Sequence, residues 1–152
     1  MKKKMMLGVL LSFAVYITAC ENVVRTNENS EIEDPRERWE AWELSDYSIE
    51  QSRLCFCLGP HGFVKLTVEN GEITEGKEVE NGAAVPQDRL QYFQTVDEVF
   101  DWIEQENART PKPAKLTVEY DEKYGYPTKI EYDFSLMIAD DELWIEMRSL
   151  KF

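Results

Sequence analysis

Apolar and polar positions along the chain follow two periods, one near 2 and one near 3.6, and the switches between them outline the elements. Phe63-Val64-Lys65-Leu66-Thr67-Val68-Glu69 alternates strictly, with Val64, Leu66 and Val68 on one face, as a strand with one buried side requires. Asn70-Gly71 comes next and suits a two-residue hairpin, because both central residues must take positive φ. The chain then returns through Glu72-Ile73-Thr74. Tyr47 to Cys57 reads as an earlier strand, broken by Gly59-Pro60-His61-Gly62. Lys115 to Tyr120, Thr128 to Phe134 and Leu143 to about Leu150 supply three more.

The helical period occurs twice. Val96, Val99, Phe100 and Ile103 stand at i, i+3, i+4 and i+7 behind Thr95 and Glu98, which form a capping box. This helix is expected to end near Asn107, ahead of Thr110-Pro111-Lys112-Pro113. Asp34-Pro35 offers an N-cap with proline at the first helical position, opening a helix through about Leu44 with Trp39 and Trp42 on one face. Residues 75–92, with Gly76, Gly82 and Pro86, read as a long exposed loop and the least ordered part of the domain. The fold class is therefore α+β, two helices packed on a mainly antiparallel sheet in the order α-β-β-β-α-β-β-β. The pentapeptide Lys-Leu-Thr-Val-Glu occurs at 65–69 and again at 115–119, an echo that suggests duplication of a helix-plus-hairpin unit without establishing it.

The first 20 residues obey neither period. Lys2, Lys3 and Lys4 precede an apolar run from Met5 to Ile17, which ends in Ile17-Thr18-Ala19-Cys20. The run is short for a membrane span and has the proportions of a secretory leader. An aliphatic residue at −3, a small one at −1 and Cys at +1 resemble the lipobox of bacterial lipoproteins. That resemblance implies cleavage before Cys20 and lipid attachment there, with palmitate-type acyl chains holding the protein on a membrane. The expected organisation is a signal peptide over 1–19, a lipidated flexible tether over 20–33 and a single domain over 34–152. With Glu21 at +2, a Gram-negative host would carry it on the outer membrane, facing the periplasm. Another host would carry it on the outer face of the cell membrane.

Composition narrows the partners. The chain has 152 residues, 43% hydrophobic and 12% aromatic, enough for one packed core. Lys and Arg number 17 against 30 Asp and Glu, a net charge of −13. Removing the three leader lysines leaves 14 basic residues against the same 30 acids, or −16. Such a surface repels phosphate, so no nucleic acid is expected, and it is pushed off anionic lipid. The expected contacts are the membrane, through the N-terminal lipid, and an envelope protein partner.

Candidate chemistry is sparse. In an oxidising envelope, with Cys20 consumed by lipid, Cys55 and Cys57 remain as an even pair. On a regular strand their Cα atoms would lie about 6.6 Å apart, at the far end of disulfide geometry, so bridging requires a bend. A structural role is preferred, because Arg53 is the only nearby cation on that strand face. Thiol exchange is the alternative. Zinc held by Cys55, Cys57 and His61 matches no common spacing, and no metal or cofactor is expected. Tyr120-Asp121-Glu122-Lys123-Tyr124-Gly125-Tyr126-Pro127 reads as an ordered hairpin loop. Its Tyr120, Asp121, Tyr124, Gly125, Tyr126 and Pro127 make a candidate binding loop, unless the rings pack on the domain itself. Asp133, Asp140, Asp141 and Glu142 lack the spacing of a calcium loop. No phosphate loop, nucleophile elbow or His-Glu-x-x-His occurs, and no catalytic residue is assigned.

Together the lipobox, Tyr47…Cys55-Phe56-Cys57, Val68-Glu69-Asn70-Gly71, Val99-Phe100-Asp101-Trp102-Ile103, Tyr120-Asp121…Tyr124-Gly125-Tyr126-Pro127…Ile130 and Asp140-Asp141-Glu142 resemble a family of uncharacterised bacterial envelope lipoproteins, a domain of unknown function. The resemblance spans nearly all of the mature chain. It implies a compact α+β envelope domain with no assigned reaction and no catalytic residues to transfer. The reading is a membrane-anchored envelope lipoprotein acting as a binding or assembly module rather than an enzyme, with thiol redox at Cys55 and Cys57 as the alternative.

Overall fold

The computed structural model describes residues 31–57, 59–60, 62–138 and 140–152. The leader, Cys20, His61 and all of the tether before residue 31 lie outside these. Six strands form one sheet in the order β3-β2-β1-β6-β5-β4: β1 (Tyr47–Cys55), β2 (Val64–Glu69), β3 (Glu72–Glu78), β4 (Lys115–Tyr120), β5 (Pro127–Asp133) and β6 (Glu142–Lys151). Every pairing is antiparallel. Two three-stranded meanders are thus joined through β1 and β6, with Gln51 opposite Met147 and Cys55 opposite Leu143.

Local chemistry explains the first helix, α1 (Pro35–Glu40). The Asp34 carboxylate accepts the backbone N–H groups of Arg36 and Glu37 at 2.9 and 3.0 Å, and Pro35 starts the helix at no hydrogen-bond cost. It ends earlier than Leu44. Trp39 and Trp42 are nevertheless both buried, because a tight turn carries the Trp42 N–H to the Trp39 carbonyl at 3.0 Å. The long helix, α3 (Val96–Ala108), opens on the expected capping box: Glu98 N–H to Thr95 Oγ1 at 3.2 Å and Thr95 N–H to Glu98 Oε2 at 2.8 Å. Val96, Val99, Phe100 and Ile103 are all buried.

Two expectations need correction. The structure holds three helices rather than two among the described residues, because α2 (Gln87–Leu90) forms inside the segment read as a loop. That segment is also no loose excursion. β3 continues to Glu78, Lys77 bridges to Ala84, and Val85, Leu90 and Phe93 enter the core. Gly76 misleads when read as a breaker. A Cβ there would lie 2.7 Å from Leu90 Cδ2 and 3.3 Å from Val85 Cβ, so glycine lets the returning chain lie directly on the strand.

The core gathers against the strand residues that share one alternation, including Tyr47, Ile49, Leu66, Ile130 and Ile145. A bulge at Ser149, with φ of 59°, shifts the register of β6 against β1. It puts Met147 and Leu150, three residues apart, into the same cluster. One polar clamp sits in the middle. Gln51 is fully buried, donating from Nε2 to the Gln94 carbonyl at 3.1 Å and accepting the Gln94 N–H at 3.2 Å. The Tyr47 hydroxyl likewise accepts the Val96 N–H at 3.0 Å. These bonds lay residues 92–96 along β1 and aim α3 across the sheet.

Candidate functional site

The sheet has two ends, and the residues singled out from the sequence divide between them. At one end, where β1, β3 and β5 begin and β2, β4 and β6 finish, lies the tyrosine loop. Asp121 organises it: its carboxylate accepts the Lys123 and Tyr124 N–H groups at 2.9 and 2.7 Å, and its carbonyl accepts the Gly125 N–H at 3.0 Å. Gly125 has φ of +85°, and a Cβ on it would come within 2.3 Å of the Pro35 carbonyl oxygen. α1 therefore docks directly on glycine backbone.

The rings turn inward. Tyr120 stacks on Phe100 with centroids 6.0 Å apart and planes within 8°. Tyr124 packs between Trp42 and Phe152 at 5.1 and 5.6 Å. Tyr126 is only 6% exposed, and Pro127 is fully buried. Burial, then the nearby Asp121 charge, pushes the Tyr126 phenol up to about 12. Arg38 fastens the entering chain here, donating to the carbonyls of Ile32 at 2.8 Å and Glu122 at 3.0 Å. Arg36 pairs with Glu40 within α1 at 2.9 Å and ties α1 to α3 through Asp101 and Glu104 at 2.8 and 2.7 Å. A groove of about 380 Å³ between these helices is floored by Phe100 and Tyr120 and rimmed by Asp34, Glu37 and Glu104. Arg36, its one cation, is already committed to those pairs.

At the opposite end, Cys55 and Cys57 are joined by a disulfide with Cα atoms 5.2 Å apart. β1 stops at Cys55, and the bend after it shortens the distance that a regular strand would leave at the far end of disulfide geometry. Cys55 is partly covered and Cys57 exposed. A three-residue ring removes only about 1.6 kcal/mol of chain entropy from the unfolded state, and Cys55 is already held by β6. The bond is therefore a weak staple.

Around it lies apolar surface that the strand and helix periods alone would not reveal. Phe56 is 83% exposed and Leu54 61%, and Leu54 stands opposite the exposed Trp144. In the β5–β6 connection Leu136 is 80% and Met137 92% exposed, followed by the exposed Ile138. Ser135 makes this turn, its carbonyl accepting the Ile138 N–H at 2.9 Å and its hydroxyl the Met137 N–H at 3.3 Å. The available signal was three consecutive apolar residues with neither period, a pattern out of place in a solvated turn.

Arg53 faces the helices two residues before Cys55. It donates from Nη1 to the Tyr92 carbonyl, while its buried Nε has no partner. Burial lowers its pKa. Asp133 Oδ1 and both Asp141 oxygens are buried without a hydrogen bond, yet among the described residues no three His, Cys, Asp or Glu side chains converge to hold a metal. On the uncovered face of β5, Glu131 bonds to Lys115 and, at 2.7 Å, to Lys129. These hydrogen bonds hold its carboxyl down to about 2.

Among the described residues no helix is long and apolar enough to cross a membrane. Comparison with curated proteins finds no match, and comparison with solved structures finds none. Residues 31–152, which hold the sheet and the three described helices, match the model of DUF6174, a family of unknown function, and the chain belongs to that family.

Proposed function

We propose that this protein is a lipid-anchored lipoprotein of the bacterial cell envelope whose domain works by binding or assembly, through the disulfide end of its sheet. The supporting observation is the apolar surface there, made by Leu54, Phe56, Leu136, Met137, Ile138 and Trp144. Exposed apolar side chains concentrated in one place cost solubility and mark contact sites on soluble domains. The tyrosine loop supports the opposite end instead, its ring surfaces spent on Phe100, Trp42 and Phe152.

Direction favours a protein partner over the bilayer. The chain enters at the tyrosine end, where Arg38 holds Ile32, and the ten residues of β6 separate the two ends by about 30 Å. With the lipid on Cys20 the chain joins the domain at the tyrosine end, so the apolar end is the one farther from the point of attachment, and the net charge of the mature chain discourages contact with anionic headgroups.

Two measurements test the reading. Metabolic labelling with palmitate should mark the full chain, and Cys20→Ala should abolish the label and release the protein from the membrane fraction. Persistent labelling of the variant overturns the anchor. A photo-crosslinking residue placed at Met137 in intact cells should give a discrete partner band that the same residue at Tyr124 does not. Equal bands from both positions, or none from Met137, overturn the binding end.

A further inference from the structure

We propose that the Cys55–Cys57 disulfide is a thiol–disulfide exchange site whose substrate is an extended, cysteine-bearing polypeptide with apolar flanking residues. The inference rests on the binding end described above and adds chemistry to it. Four observations converge. The bond lies at the exposed end of β1, with Cys57 open to solvent, so an incoming thiolate has an approach. It closes a ring of only three residues at Cys55, which its pairing with Leu143 already fixes, so it adds little to the fold. Leu54 and Phe56 flank Cys55 in the chain, and Leu136 to Ile138 lie at the same sheet end, offering apolar area to an unfolded segment but little to a folded polar surface. Arg53 precedes Cys55 by two residues on the same strand, with its Nη1 on the Tyr92 carbonyl and its buried Nε unpartnered, so the strand that carries the leaving sulfur also carries a cation.

The exchange is balanced without another reagent. A substrate thiolate attacks Cys57 Sγ, forming a substrate–Cys57 mixed disulfide and breaking the Cys55–Cys57 bond, and Cys55 departs as thiolate. A second substrate thiolate attacks the substrate sulfur of that mixed disulfide, and Cys57 departs in turn. The substrate dithiol is oxidised by two electrons and the protein disulfide reduced by two. The two protons lost by the substrate thiols end on Cys55 and Cys57. Run backwards, the reduced pair cleaves or reshuffles a substrate disulfide, with Cys57 attacking and Cys55 resolving.

The test uses the full chain purified without reductant and a synthetic peptide carrying two cysteines among Leu and Phe residues. The protein should oxidise this peptide at least tenfold faster than glutathione disulfide at equal concentration. It should lose most of that advantage for a peptide with Ser in place of Leu and Phe. Leu136→Ser with Met137→Ser should slow the apolar peptide about tenfold and bring its rate down toward that of the polar one. In the reverse direction, Cys55→Ser should trap a Cys57-linked mixed disulfide with an oxidised peptide, and Cys57→Ser should trap far less. A disulfide inert to both peptides in the folded protein, or equal rates for the two, overturns the proposal. Crosslinking from Met137 in the Cys55→Ser, Cys57→Ser double variant separates the two readings. A retained partner with no exchange leaves the binding end standing, and loss of the partner in the wild-type cysteine background removes it.

Discussion

The two ends of this sheet carry similar amounts of aromatic and apolar sequence and put them to opposite uses. At the tyrosine end, Tyr120, Tyr124 and Tyr126 meet Phe100, Trp42 and Phe152 and α1 closes over Gly125. At the disulfide end, Phe56 and Leu136 to Ile138 are exposed. The difference is one of cover. α1 and the entering chain lie across the first end, whereas the second is formed by strand termini and turns, and among the described residues no helix docks on its exposed side chains. Aromatic content in a loop is therefore no guide to exposure, since a ring beside a helix is buried and one beside a bend is not.

The sharpest way to break the contrast is at two glycines. Gly125→Ala forces a Cβ to 2.3 Å from the Pro35 carbonyl oxygen at positive φ, and should cost about 4 kcal/mol or unfold the domain. Gly62→Ala at the other end also requires positive φ but meets nothing within 4 Å, so about 1–3 kcal/mol is expected. Urea midpoints of the two variants measure the gap, and equal losses would mean that α1 does not rest on the loop. A second comparison is of rings. Tyr126→Ala should cost about 3 kcal/mol and Phe56→Ala within about 0.5 kcal/mol. The Phe56 variant should also show less self-association by light scattering.

The smallest effect is confined to alkaline pH. Burial raises the Tyr126 phenol from 10.0 to about 12 in the folded state. Its contribution is fully present below pH 10, where the unfolded phenol is still protonated, and is lost as pH rises from 10 to 12. Tyr126→Phe should make that part of the stability curve shallower, the phenols of Tyr47 and Tyr120, also raised by burial, keeping the rest of the slope, while leaving the neutral range nearly unchanged. An unaltered alkaline slope would place the phenol in water.

Much of the fold was legible because it is local. The capping box at Thr95 and Glu98, the Asn70-Gly71 turn with φ of 53° and 79°, and the Val64, Leu66, Val68 alternation each need only a few neighbouring residues to specify them. The candidate site was less so. Cys55 and Cys57 were visible as a pair, but the apolar surround depends on bringing residues 54–56 and 136–144 to one end of the sheet. The repeated pentapeptide shows the limit within a single motif. In β2, an interior strand, Leu66 and Val68 are fully buried. In β4, an edge strand, Leu116 and Val118 are only half-covered. The two copies hold different places in their meanders, so five identical letters carry the same alternation and different burial.

What the sequence by itself determined is which residues share a face and where helices and hairpins begin, because periodicity, caps and turn dipeptides act over short range. The tertiary structure alone decided the strand order that joins two meanders through β1 and β6. It also decided the descent of Val85, Leu90 and Phe93 into the core and which of two similar ends was covered. Those outcomes depend on contacts between residues tens of positions apart. For such contacts the chain must first pay the entropy of closing a loop, and no local pattern records which closure wins.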